Sequence, residues 1–380
     1  MPCDGLIASH TIQDIEVKVS HPSHLPVISF PLKANNSSSE HDIAQDIFSL
    51  AFFYLSRYEE YWDSPRDQYG RFQSKYSLSV KHNIARLPIV DLWIQHFCTL
   101  VNDQYGTSWQ LKPYRPPSSM TLDIDQPYAF KHKGVRKYLG ALRDIGKFDL
   151  ATLSTRMNEI ISGQDPFDTY EYLEGQVSKY DCRPHIFILN KYNPPLDLNH
   201  LAGKKELGLI IDRMSSWADI GIHPSLNAGQ NTDYIKQEIE SLRQLTSSDS
   251  IRCSRQHFLK IDLPHTYRTL EQCDITDDYS MGYPDQVGFR AGTARAYRWY
   301  DLNEERASNL HIHPMMVMDV TLRYYLGLSP DQAINLFDEI HQSCLSVSST
   351  CISLWHNSNL SKAYGWQPWK RVFEHILAAK

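Results

Sequence analysis

Ser119-Met120-Thr121-Leu122-Asp123-Ile124-Asp125-Gln126-Pro127 is the stretch that decides how this chain folds. A short apolar run ends in two acids and a proline, which reads as a buried strand with a turn after it. In α/β folds the C-terminal ends of the strands face the site where ligands bind. Two carboxylates there are costly unless they bind a cation or move protons. The plainer alternative is an Asp-rich turn with no chemistry.

Downstream, strand-like runs recur at 185–190, 219–225, 252–258, 278–283, 289–292 and 351–357, with helical stretches such as 232–245 and 330–344 between them. This alternation predicts parallel strands joined by crossover helices, as a wound sheet or a barrel. Upstream, Ile43, Ile47, Leu50, Ala51, Tyr54 and Leu55 repeat near 3.6 residues and predict a helix over 42–62; a second apolar helix is predicted over 89–101. Pro113-Tyr114-Arg115-Pro116-Pro117 reads as a connector. The domain boundary is placed there: 1–117 as a small α+β N-terminal domain, 118–380 as the larger unit.

The chain has 380 residues, 42% hydrophobic and 22% charged, an ordinary globular balance. Net charge is −6 with no Lys/Arg block, which argues against nucleic acid as a partner. No apolar run approaches the ~18–20 residues of a membrane span. Residues 1–16 lack a basic start followed by an apolar core, so a cytoplasmic location is expected. Seven scattered cysteines without a C-x-x-C pair suggest neither a disulfide framework nor a thiolate zinc site.

Three further segments place chemistry at strand exits. Asp219-Ile220-Gly221-Ile222-His223 ends in an imidazole, a good zinc ligand when neutral, although a lone His is more often structural. Ser254-Arg255-Gln256-His257-Phe258 brings a cation and an imidazole, and Leu354-Trp355-His356-Asn357 a third His after an apolar run. Arg290, in Gly288-Phe289-Arg290-Ala291-Gly292, either binds a substrate hydroxyl or acidic group or pairs with a structural acid. His313 and Asp319 are read as a loop residue and a helix N-terminal acid, outside any site. Glu59, Glu60, Tyr61 and Trp62 either line the mouth of the site or pack between domains, the second being preferred.

The order of these segments resembles the polysaccharide deacetylases with NodB homology, carbohydrate esterase family four, whose pattern runs T-F-D-D-G, H-[ST]-x-x-H, R-x-P-Y, an Asp/Trp motif and L-x-H. Thr121-Leu122-Asp123, Gly221-Ile222-His223, Arg255-Gln256-His257-Phe258 and Leu354-Trp355-His356 stand at the matching places, with Asp278–Tyr283 and Gly288–Thr293 between. The likeness runs from Ser119 to the C-terminus and is to a divergent branch with an added N-terminal domain. It implies a distorted (β/α) barrel of about seven strands and a hydrolase that removes N-acetyl groups from an amino sugar of a polysaccharide or its precursor, using a divalent metal, zinc by preference. It also implies roles. Asp123 is the general base, Arg255 orients it, and His356 is the acid that protonates the leaving amine. The family's metal-binding Asp falls on Ile124, so Asp125 takes that task from one residue further on; His223 is the first metal histidine. The second falls on Asn227: either Asn227 ligates weakly, or His257 supplies the missing nitrogen, or no metal is held. The Phe258 N–H stands where the family stabilises an oxyanion, and Phe258, Arg290 and Trp355 are placed on the substrate side. The carboxylate partner of His356 stays open among Asp277, Asp278 and Asp285. These departures keep a second reading alive: a degenerate barrel that binds glycan or assists surface-polysaccharide assembly without catalysis.

Overall fold

A computed structural model describes residues 18–20, 27–29, 46–62, 65–131, 155, 161–193, 196–198, 204–246 and 251–379. Strand β1 (Lys18–Ser20) pairs antiparallel with β2 (Val27–Ser29), apart from the main sheet. The 119–127 stretch delivers β3 (Met120–Ile124), every residue of which is buried. A parallel strand covered on both faces reads as such a continuous apolar run. The remaining strands are β4 (His185–Ile188), β5 (Tyr192–Asn193), β6 (Asp197–Leu198), β7 (Asp219–Ile222), β8 (Cys253–Ser254), β9 (Asp277–Asp278), β10 (Tyr297–Asp301), β11 (Arg306–Ile312), β12 (Val317–Met318) and β13 (Ser353–His356). The short pair β5–β6 stands by itself, and the rest form a nine-stranded sheet in the order β10-β11-β9-β8-β7-β4-β3-β13-β12. Within it only β10 runs antiparallel to its neighbour.

Laid flat, β11 and β12 would stand seven strand spacings apart, roughly 34 Å at about 4.8 Å each. Yet only residues 313–316 separate Ile312 from Val317, and five steps of extended chain span at most about 18 Å. The sheet therefore curls strongly. The expected barrel is corrected in one respect: among the described residues no ladder closes it. Its flanks are bridged instead by loop bonds, Met315 N–H to Met281 O and Gly288 N–H to Met316 O, each 2.9 Å.

Phe289–Gly292, expected as a strand, is a turn. Its backbone bonds go elsewhere: Phe289 N–H donates to Ala85 O and Val90 N–H to Gly292 O, so the turn is seated against the 85–90 segment. Gly292 (φ +69) lies there against Tyr54, Ile89 and Val90, where a Cβ would meet their side chains at 3.0–3.1 Å. The 42–62 helix is shorter than expected. It runs Ile47–Leu55, capped by Asp46 and followed by a 3₁₀ turn at Tyr58–Glu60; residues 42–45 lie outside the described ones. Helices Ile89–Tyr105, Thr232–Arg243 and Pro330–Ser346 match their periodic runs. The last begins with a Ser329/Gln332 capping box and Pro330 in its first turn.

The main core gathers Leu122, Ile124, Ile186, Ile188, Trp355 and Phe373, while Ile47, Leu50, Tyr54, Ile89 and Trp93 form a second cluster. Four charges are buried beside that second cluster. Glu60 accepts from Arg290 at 2.6 and 2.9 Å and from Arg57 at 2.8 Å; Glu59 accepts from Arg57 at 2.7 Å, Ser77 Oγ at 2.8 Å and Leu78 N–H at 2.9 Å. Arg57 also donates to the Arg290 carbonyl. Burial alone would raise the Glu60 carboxyl, but the two guanidinium groups bring it down to about 2.

Candidate active site

The pleat sets the site. Leu122 stands beside Trp355, and His356, Asp123, Phe187 and Gly221 form the next cross-strand row, on the opposite face. Ile124 falls back on the Leu122 face and is fully buried. The residue after it, Asp125, returns to the Asp123 side, as His223 does two residues after Gly221. This is the physical reason why the second acid of this site is displaced by one position.

Three imidazoles converge on Asp125. His223 Nε2 lies 3.3 Å from Asp125 Oδ1 and 3.7 Å from Asp123 Oδ2; His257 Nε2 and His356 Nε2 each lie 3.9 Å from Asp125 Oδ2. In each ring the other nitrogen faces an acceptor. His223 Nδ1 reaches the Arg255 carbonyl at 2.6 Å, His257 Nδ1 reaches Asp197 at 2.8 Å, and His356 Nδ1 reaches Asp319 at 2.9 Å. Only an Nδ1–H can satisfy those acceptors, so the Nε2 atoms of His223 and His257 carry lone pairs toward a carboxylate unless a second proton or a cation intervenes.

Asp125, His223 and His257 offer three ligand atoms within 4.8 Å of one another. Asp125 Oδ1 is buried and has no hydrogen-bond partner among the described residues, although the side chain as a whole is 34% exposed. Four carboxylates, Asp123, Asp125, Asp197 and Asp319, meet one guanidinium, Arg255. This donor set fits a divalent cation: two imidazoles and a carboxylate, with outer oxygens facing the Nδ1 atoms of the rings.

Arg255 is fully buried. Its Nε donates to Tyr279 O at 3.0 Å, its Nη1 to Asp123 Oδ1 at 3.4 Å, and its Nη2 has no partner. The guanidinium lies over the Phe187 ring at 4.9 Å. Gly221 makes room for that ring, because a Cβ there would sit 2.6 Å from Phe187 Cδ1 and 2.8 Å from Cys253 O. Burial lowers the Arg255 pKa, while Asp123 and Asp278 oppose it. Burial would raise Asp125, but His223, His257 and His356 hold it far below the usual carboxylate range. Burial would lower His356, but Asp319 foremost, then Asp125 and Asp123, push it up to about 10.

Asp123, Asp125, His223, Arg255, His257 and His356 thus come together. Asn227 does not join them. It is exposed, opens the 3₁₀ turn Ala228–Gln230, and among the described residues no hydrogen bond ties it to the cluster. Arg290 is corrected to the structural alternative: it is 2% exposed and held by both oxygens of Glu60. Trp355 is corrected too. It faces the helices and packs edge-on against Phe373 at 5.1 Å. Phe258 is on the rim, its backbone in the left-handed region (φ +60). Its carbonyl is bound by Arg71, and its N–H finds no acceptor among the described residues.

The partner of His356 is Asp319, which the sequence presents as a helix N-terminal acid outside the site. Asp277 pairs with His313 at 2.8 Å, Asp278 is taken by Ser254 and Ser280, and Asp285 accepts from Ser74. Asp319 and Asp197 are the site residues that sequence reasoning missed. Asp319 ends the run Met315-Met316-Val317-Met318, the same apolar-then-acid pattern as 119–123. Asp197 has no such signal.

Residues 1–106 match a family model described as a family of unknown function (DUF7033). No curated protein matches the chain. Among solved structures it is similar to a Mycobacterium smegmatis protein assigned as a polysaccharide deacetylase (14% identity, TM-score 0.45, 72% of this chain and 88% of that one). It is also similar to a Bordetella bronchiseptica protein assigned as a polysaccharide deacetylase of O-antigen biosynthesis (14%, 0.36, 68% and 81%). A third is the Bc1960 peptidoglycan N-acetylglucosamine deacetylase (12%, 0.32, 73% and 88%). Likeness at this level does not fix an activity. Among the described residues no helix is long and apolar enough to cross a membrane.

Proposed function

We propose that this protein is a metal-dependent hydrolase that removes the acetyl group from an N-acetylated sugar of a polysaccharide or its precursor. The observation that carries the reading is the arrangement around Asp125: two histidines with tautomers fixed for ligation, and beside them an acid–guanidinium pair and an acid–imidazole pair. Asp125, His223 and His257 would hold the cation, zinc being the ion that suits two imidazoles and a carboxylate with an open position. When bound, it would polarise the acetyl carbonyl and ease deprotonation of water.

The chain's own groups supply the rest. Asp123 takes the proton of the attacking water, oriented by Arg255 Nη1. The Phe258 N–H, which has no acceptor among the described residues, donates to the oxygen on which charge develops. His356 keeps its Nδ1–H on Asp319 and presents Nε2 to give a proton to the leaving amine. Carboxylate and imidazole differ enough in basicity for one site to hold a base and an acid together. We further propose that 118–380 carries this chemistry, that 1–117 is accessory to it, and that the protein works in the cytoplasm. The second reading, a glycan-binding barrel without catalysis, draws on the missing second His and the displaced acid; the nearness of His257 and Asp125 to His223 supports the enzyme instead.

The test is acetate release from N-acetylglucosamine oligomers by zinc-loaded and chelator-treated protein, with metal counted per chain. Turnover that follows the metal supports the reading. Metal-free protein that binds the oligomers and releases nothing supports the binding protein.

A further inference from the structure

One element near the site has no part in the chemistry above. The turn Asp67–Arg71 comes from the segment before the connector and reaches the rim beside His257. It is built rigidly. The Asp67 carboxylate accepts from Tyr69 N–H and Arg71 N–H at 2.9 Å and from Arg71 Nε at 2.6 Å, and Gly70 N–H closes the turn on Asp67 O at 2.9 Å. Gly70 adopts φ +81 with Lys260 Cε 3.3 Å from where a Cβ would be.

From this turn a column of four groups runs inward. The Arg71 guanidinium lies over the Tyr69 ring at 4.9 Å, Tyr69 stacks on Phe258 at 4.6 Å and 22°, and Phe258 lies 4.4 Å from the His257 ring. Arg71 also binds the backbone of the residue whose ring the column holds: Nη1 donates to Phe258 O at 3.2 Å, while Nη2 reaches Tyr325 Oη at 3.3 Å. Phe258 and Leu259 are successive non-glycine residues at φ +60 and +55. A side chain in that region is strained, so the surroundings must hold the conformation. The local 3₁₀ bonds, Leu259 N–H to Gln256 O and Lys260 N–H to His257 O, supply part of that hold. Arg71 supplies the rest from a remote part of the chain.

We propose that Tyr69 and Arg71 are positioning residues: the Asp67–Arg71 turn clamps the Phe258 peptide and buttresses the His257 ring, so that the N-terminal segment completes the active site. Neither side chain touches the reacting atoms. What the Phe258 N–H does in turnover rests on the deacetylase reading; the clamp itself does not.

The full-length chain is compared as wild type, Arg71→Met, Tyr69→Leu and Tyr69→Phe. Hydrogen exchange is read at the Leu259 and Lys260 amides, and kcat and KM are measured for acetate release from N-acetylglucosamine oligomers with zinc. Arg71→Met and Tyr69→Leu are expected to speed exchange at those two amides about 10-fold or more without global unfolding. They should lower kcat about 10- to 100-fold with KM nearly unchanged. Tyr69→Phe keeps the ring and should behave as wild type. If Arg71→Met unfolds, Tyr69→Leu carries the test. Unchanged local exchange in the folded variants overturns the clamp, and faster exchange with wild-type kcat overturns its role in positioning. A wild type that releases no acetate removes the deacetylase reading instead, and the clamp then stands or falls on exchange alone.

Discussion

Two buried charged clusters sit in this molecule, and they are built to opposite rules. In the Arg57–Glu59–Glu60–Arg290 cluster two cations meet two anions, and each carboxylate oxygen accepts a hydrogen bond. Around Asp125 the acids outnumber the guanidinium, three imidazole Nε2 atoms crowd one carboxylate, and among the described residues Asp125 Oδ1 and Arg255 Nη2 find no hydrogen-bond partner. A cluster whose charges answer one another needs no ligand; one whose charges do not is the place to test for a bound cation. Burying charge without pairing is costly enough that the incomplete cluster calls for a purpose.

The comparison can be broken first at the site. Asp123→Asn keeps the shape and removes the base, so acetate release should fall about 10²- to 10⁴-fold while the unfolding midpoint stays near wild type. Wild-type turnover would remove Asp123 from that role. At the satisfied cluster the order reverses. Glu60→Ala leaves the buried Arg290 guanidinium without a carboxylate and Arg57 with Glu59 alone, and should cost about 3–5 kcal/mol in denaturant unfolding. A loss under about 1 kcal/mol would mean that these charges are not buried as described.

Smaller effects sharpen the contrast. Asp319→Asn and Asp197→Asn each alter the group that fixes a ring. The first should lower kcat with zinc affinity unchanged, and the second should weaken zinc binding by about 10- to 100-fold. If both act on zinc alike, His356 belongs with the ligands.

The smallest effect is the dependence of stability on acid. Glu60 is held at about 2 in the fold against an ordinary 4.5. The unfolded chain therefore binds the extra proton first as pH falls. The stabilisation is whole above pH 4.5 and is lost as pH drops toward about 2. Denaturation curves between those limits should be steeper in pH for wild type than for Glu60→Gln, and parallel curves would contradict the assignment.

Much of the site could be read from the chain because strand exits announce themselves. An apolar run followed by an acid or an imidazole points to Asp123, Asp125, His223 and His356 as candidates, and the polar exit Ser254-Arg255-Gln256 to His257. What could not be read was set by pairing across the fold. Arg290 follows an apolar residue too, but its neighbours bond to Ala85 and Val90, so its turn never joins the sheet. Trp355 was misplaced by one step of the pleat, which sends it to the helices while His356 faces inward. β12 is two residues long and carries no period, so the acid at its end, Asp319, looked like a helix cap. The curl of the sheet, closed by loops and not by a ladder, depends on the short 313–316 link, which periodicity does not reveal.

The central claim is that Asp125, His223 and His257 hold one divalent cation, and the direct measurement is equilibrium zinc binding to the chelator-stripped, folded chain. One zinc per chain is expected in the wild type and none retained by His223→Ala at the same concentration, with the fold intact in both. A folded wild type that takes up no zinc or other divalent ion, or a His223→Ala variant that binds it as tightly, would contradict it.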